Sequence, residues 1–290
     1  MNIVLQSKPS AGNIIVRSLI VGLAYALANA TVAIILGSMS RLAASIGNVL
    51  VWLVAGTLVC LSLSPFILNS NRSRSTTILA VWAVLALVRS LGLGIEGSLF
   101  KPAAALSAIV GAVFGMLVSL LVAWLSVSLL KPADQESHEY EKVSPERNWW
   151  GWIWRVLVVG LAFFVFYFVF GATNASLYTL NFYKNNPQYG LNLPAPGTIF
   201  LAQLMRGPLF GLGSLFIVRA VDAPRHKIAV WLGILLFVVG GVAPYIEVTF
   251  RTMPLGFNLA TLTEIFFQNF LTGCVAAYLY GTKQAKKQVI

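Results

Sequence analysis

Five ionisable side chains, Arg89, Glu96, Arg206, Glu247 and Glu264, lie inside stretches that are otherwise apolar enough to sit in a bilayer. A charge there costs on the order of 3 kcal/mol unless it finds a partner or water. At about 1.5 Å of helical rise per residue, Arg89, Arg206 and Glu264 all fall roughly 10 to 15 Å below the same face, a depth at which they can meet. Two guanidiniums and one carboxylate leave a net positive charge, and the planar guanidinium fork matches a carboxylate or phosphate. This predicts a substrate site for a small anion, with Arg89 and Arg206 holding it and Glu264 orienting an arginine or exchanging a proton. The competing reading is an Arg–Glu pair that only joins helices.

Glu96 and Glu247 stand at the outer ends of their helices, each followed by a phenylalanine and a base: Phe100 and Lys101 in one case, Phe250 and Arg251 in the other. The simplest expectation is that each carboxylate meets that base or caps the next helix. A sharper one makes the two acids a symmetric pair guarding an external mouth for a cation or proton. Gly207 and Pro208, and Gly240, Gly241 and Pro244, predict hinges, because helix breaks expose backbone groups that can line a transport path. Gly111 with Gly115, and Gly207 with Gly211, have the spacing that lets helices approach closely.

Other chemistries lack their residues. His138 and His226 lie in loops, and Cys60 and Cys274 sit singly in apolar runs, so neither haem nor a clustered metal site is expected. No glycine-rich phosphate loop appears, and no serine or cysteine has a base placed beside it. We therefore expect no enzyme, no cofactor and no metal.

The elements that must position these charges follow from composition. Hydrophobic residues make up 58% of the 290-residue chain and charged residues 10%, too few to cover a soluble domain. Eight apolar runs, at about 15–37, 47–68, 77–97, 104–130, 152–173, 196–218, 228–249 and 257–280, are long enough to cross a bilayer as helices. Their continuous apolar character argues against alternating barrel strands. The expected fold is an all-α polytopic membrane protein.

Its plan is written twice. Arg17 to Tyr25 (RSLIVGLAY) matches Arg155 to Phe163 (RVLVVGLAF), and Ala80 to Trp82 matches Ala229 to Trp231. Ser64 to Ile67 matches Ser214 to Ile217, and Ile95 with Glu96 matches Ile246 with Glu247. Four spans per half make the two halves parallel in direction: 1–130 as the first repeat, 131–151 as an acidic cytoplasmic linker, and 152–290 as the second. Arg89, Arg206 and Glu264 align near Gly240, Gly56 and Phe114, so the symmetry is broken where one site would specialise.

The second half carries extra residues, read as an external loop over 174–197 rich in amides, aromatics and turn formers. It is a candidate docking surface for membrane-protein partners, or a loop lying on headgroups. Fourteen of the 20 Lys and Arg fall on the side of the N-terminus and four on the other, which places both termini in the cytoplasm. The net charge of +11 thus reports orientation and anionic lipid headgroups rather than nucleic acid. Ala28, Asn29 and Ala30 resemble a leader cleavage site, but the apolar run continues past them and recurs in mid-chain. The functional expectation is an inner or plasma membrane transporter or channel-like protein for a small anionic solute or lipid. The alternative is a non-catalytic subunit, scaffold or assembly factor of a larger membrane complex.

Overall fold

The computed structural model describes residues 9–36, 46–100, 105–132, 148–186, 194–248, 250 and 253–281. Hydrocarbon leaves helix as the only way for an open chain to satisfy its backbone, and eight helices result, each long and apolar enough to cross a membrane. They are α1 (Ala11–Ile35), α2 (Ile46–Leu68), α3 (Arg74–Phe100), α4 (Ala105–Leu130), α5 (Trp149–Asn185), α6 (Pro196–Arg219), α7 (Arg225–Glu247) and α8 (Leu255–Tyr280). Polar caps start several of them: Ser10 accepts from the Asn13 amide, Ser73 from Thr76 and Asn148 from Gly151. Within the spans, Thr57, Thr173, Thr263 and Thr272 return their hydroxyls to carbonyls four residues back, which removes four donors from the apolar surroundings.

Four helices form the centre. In α2, α3, α6 and α7 half or more of the apolar window is buried, whereas α1, α4, α5 and α8 bury less than a third and turn leucines, isoleucines and tryptophans outward. Phe66, Phe163, Phe210, Leu63, Ile217 and Leu236 fill the core. The contacts come in corresponding sets. Helix α1 packs on α2 as α5 packs on α6, α3 on α4 as α7 on α8, α1 on α4 as α5 on α8, and α3 on α6 as α7 on α2.

Glycines set the closest crossings. A Cβ on Gly22 of α1 would lie 2.2 Å from the Thr57 hydroxyl, and one on Gly207 of α6 would lie 2.5 Å from the Gly160 carbonyl oxygen of α5. The Gly207 and Gly211 pair therefore packs helices, as its spacing predicts. Gly111 does not: a Cβ there would meet nothing within 4 Å.

One end of the bundle is tied by backbone. Ser70, after α2, and Val221, after α6, form an antiparallel bridge, and the Asp222 amide donates to the Asn69 carbonyl at 3.3 Å. Basic side chains at this end cap helix C-termini, where carbonyls lack partners and the helix dipole is negative. Arg17 donates to Leu129 O at 2.5 Å, Arg74 to Lys131 O at 3.4 Å, and Arg225 to Gly281 O at 2.9 and 2.5 Å.

Three findings depart from expectation. The segment read as an external loop is helical as far as Asn185, because α5 continues through a π turn at Ala175–Thr179. Tyr178 and Phe182 stack, and Phe182 packs against Phe257 of α8, so aromatic contacts hold the extension in helix. Residues 187–193 of that stretch, the linker 133–147, and both Lys101 and Arg251 lie outside the described residues. Pro208 lies inside an unbroken α6. The irregular backbone falls instead at π-helical segments, Leu85–Leu91 of α3 and Val238–Val242 of α7, the second containing Gly240 and Gly241 with Pro244 just beyond.

Candidate membrane-embedded site

The π segment of α3 presents Arg89, and each extra residue in a π turn re-aims the side chains that follow it. Arg89 donates from Nη2 to Glu247 of α7, at 2.6 Å to Oε2 and 2.7 Å to Oε1. The same nitrogen donates to the hydroxyl of Tyr25 on α1, and that hydroxyl donates to Glu247 Oε1 at 2.9 Å. The pair is nearly dry, with side chains 10% and 13% exposed, so its Coulomb attraction is little screened. The Tyr25 ring lies 5.1 Å from the Arg89 guanidinium carbon, a cation–π contact.

A second pair lies on α6. Arg206 Nη1 sits 2.9 Å from Glu96 Oε2 of α3 and donates to Gln203 Oε1 at 3.2 Å. Phe163 and Phe210, themselves stacked at 4.1 Å, hold its guanidinium between α5 and α6. Gln203 Nε2 and Arg206 Nε are buried with no hydrogen-bond partner among the described residues. Glu264 of α8 accepts from the Asn174 amide at 2.6 Å, lies over Gly171, and is within electrostatic reach of Glu96.

The charges therefore divide into two groups, Arg89 with Glu247 and Arg206 with Glu96 and Glu264. They do not merge into one positive site. Carboxylates outnumber guanidiniums three to two, and each arginine already holds a carboxylate. Glu96 and Glu247 turn inward to the buried guanidiniums; Lys101 and Arg251, which they were expected to meet, lie outside the described residues. The physical reason is burial: a guanidinium that cannot reach water binds a carboxylate that the packing of a neighbouring helix brings within reach.

A cleft of about 280 Å³ opens beside the first pair, between α1, α3 and α4. Arg89, Glu247 and Tyr25 line it together with Asn29, Ser90 and Ser119, and small residues, Gly94, Gly111 and Gly115 among them, form its walls. Ser90 and Ser119 hydrogen-bond each other at 3.2 Å. Charge alone did not single out Tyr25, Asn29, Ser90 or Ser119. The one available signal was Tyr25 itself, the position where the first repeat motif carries a hydroxyl and the second ends in Phe163.

Among the described residues no group of three or more His, Cys, Asp or Glu could hold a metal ion. The chain matches no family model, no curated protein and no solved structure. What the fold and site define is a class: a multi-pass helical membrane protein in which ion pairs, one nearly dry and one partly exposed, join its central helices.

Proposed function

We propose that this chain is a transporter, or a channel-like protein, for a small solute or lipid that carries an anionic group. In this reading its two four-helix halves move against each other. The observation that carries it is the contrast between the two ends of the bundle. One end is joined by a backbone bridge between the Ser70 and Val221 loops; toward the other, the halves meet through side-chain ion pairs, Arg89 to Glu247 and Glu96 to Arg206. A backbone bridge suits a fulcrum, and paired charges suit a gate that a ligand can open.

The duplication supports this arrangement. The helix contacts come in corresponding sets, π segments occur at matching places in α3 and α7, and Arg74 and Arg225 cap α4 and α8 alike. Under the positive-inside pattern the bridged end, with its arginines, faces the cytoplasm and the ion pairs guard the outside. Glu96 and Glu247 remain the outer-mouth acids of this scheme, each now holding an arginine shut. Gating bends at the π segments and at Gly240, Gly241 and Pro244, while Gly207 and Pro208 act as the contact about which α5 and α6 stay together.

The test needs no substrate. Gly92 of α3 lies between the two pairs, and a Cβ there would sit 3.6 Å from the Leu87 carbonyl oxygen and 3.7 Å from Arg206 Nε, both ordinary contacts, so the position admits the Cβ of Gly92→Cys. With Cys60 and Cys274 replaced by Ala, labelling by a membrane-impermeant thiol reagent should be slow and should rise when Glu96→Gln and Glu247→Gln are added. Labelling that stays unchanged would refute the gate.

A specific feature favours the second reading, a partner-binding subunit. Leu177, on the helical extension of α5, is 76% exposed beside the exposed Tyr178, an apolar surface that another membrane chain could cover.

A further inference from the structure

We propose that the cleft between α1, α3 and α4 binds a zwitterionic headgroup, a phosphate beside an ammonium, with the phosphate on Arg89 and the ammonium on Glu247. The proposal deepens the reading above by naming the ligand class, though binding itself can be measured without any transport.

Arg89 is 8% exposed, yet every partner it has among the described residues is reached through Nη2. Nη1 and Nε keep their donors, on a residue that lines the cleft. Both two-bond edges of a guanidinium include Nη2, so an oxyanion takes single bonds from Nη1 or Nε at first and gains a parallel pair as Glu247 gives up Nη2. Among the described residues Glu247 Oε2 accepts only from Arg89, which leaves it room for an ammonium donor.

Arg89 and Glu247 together are neutral. A simple anion entering would leave a net negative charge in a poorly solvated place, and a simple cation a net positive one, and either excess is unfavourable there. A ligand bearing both signs pairs with both side chains and leaves no excess. It also separates Arg89 from Glu247 without stranding either, which is the step a ligand-opened gate requires.

The cleft exists because of small residues that this half alone carries. Where Gly115 faces Ser90, the second half places Ile265 against Gly241, so close that a Cβ on Gly241 would lie 2.1 Å from Ile265 Cγ2. Where the first half has Gly94, the second has Tyr245. The cleft lies between α1 and α4, two helices with lipid-type outer faces, and Leu93 on its rim is 37% exposed. A ligand whose remainder is hydrocarbon can therefore continue along Ile109 and Val113, both exposed on α4. A membrane phospholipid is the source we favour over a water-soluble zwitterion.

The experiment is thermal unfolding of the purified full chain, freed of lipid in detergent, titrated with four probes. These are phosphatidylethanolamine, its soluble counterpart glycerophosphoethanolamine, glycerol 3-phosphate for the anion alone, and ethanolamine for the cation alone. The expected result is a saturable rise in melting temperature with phosphatidylethanolamine and none with glycerol 3-phosphate or ethanolamine. A rise with the lipid alone identifies a membrane source; an equal rise with glycerophosphoethanolamine identifies a soluble one, and both uphold the zwitterion site. Because a Cβ on Gly111 meets nothing, Gly111→Phe should fill the cleft, leave the ligand-free melting temperature near that of the parent, and weaken binding by at least about tenfold. Glycerol 3-phosphate acting as well as the zwitterions, no response to any probe, or undiminished binding by Gly111→Phe would overturn the proposal. If zwitterions bind while Gly92→Cys labelling stays fixed, the headgroup site stands and only the gate fails.

Discussion

Replacing Glu247 by Gln takes one charge from a pair that is nearly dry and leaves Arg89 with a weaker acceptor. Removing one partner of a buried pair costs about 3 to 5 kcal/mol. The retained amide oxygen still accepts one bond, so the expected loss for Glu247→Gln is about 3 kcal/mol, and a similar loss is expected for Arg89→Gln. The double variant leaves two amides that can bond each other and strands no charge. It should therefore be less damaging than the two single losses added, with a coupling of about 2 kcal/mol. The second pair provides an internal standard. Glu96 is 29% exposed, more than twice the figure for Glu247, so water screens it and its coupling to Arg206 should be about 1 kcal/mol or less. Reversible unfolding in mixed micelles, titrated with a denaturing detergent, measures all six variants and the parent under one condition. Additive losses at Arg89 and Glu247, or a larger coupling at Arg206 and Glu96, would refute the assignment of the dry, dominant contact to the first pair.

Two further outcomes follow from packing. Gly207→Ala should lower stability by about 1 to 3 kcal/mol, because its Cβ would lie 2.5 Å from the Gly160 carbonyl oxygen and must push α5 from α6, whereas Gly111→Ala should change stability by under about 0.5 kcal/mol; thermal unfolding distinguishes them, and equal effects would contradict the contrast between a packed and an open glycine. Phe182→Ala removes the ring that stacks on Tyr178 and packs on Phe257, so hydrogen exchange should speed up across 175–185 and remain unchanged in α1 to α4; unchanged exchange in that segment would show that the extension is held by something other than its aromatic contacts.

The residues that could act were visible in the chain from the start, since any charge in an apolar run is expensive and so conspicuous. Their partners were not. Depth along a helix follows from counting residues, but which face a side chain takes depends on helix rotation, and the π segments at 85–91 and 238–242 shift that rotation partway along α3 and α7. An inventory by depth therefore grouped Arg89, Arg206 and Glu264, while the packed structure paired Arg89 with Glu247 across 158 positions. The loop over 174–185 was misread for a related reason. Its amides and turn formers favour a loop locally, and only the aromatic surface of α8 makes helix the better choice.

The sequence by itself determined eight helices long and apolar enough to cross a membrane, because continuously apolar runs of twenty-odd residues with few charges satisfy their backbone in hydrocarbon as helix. It also displayed the matched motifs and the breaks between them. Only the tertiary structure decided that α2, α3, α6 and α7 form the centre, that each arginine is already held by a carboxylate, and that a cleft remains where Gly94, Gly111 and Gly115 stand. Those are properties of which surfaces meet. A glycine in a sequence reads the same whether a neighbouring backbone fills the space beside it, as at Gly207, or nothing does, as at Gly111.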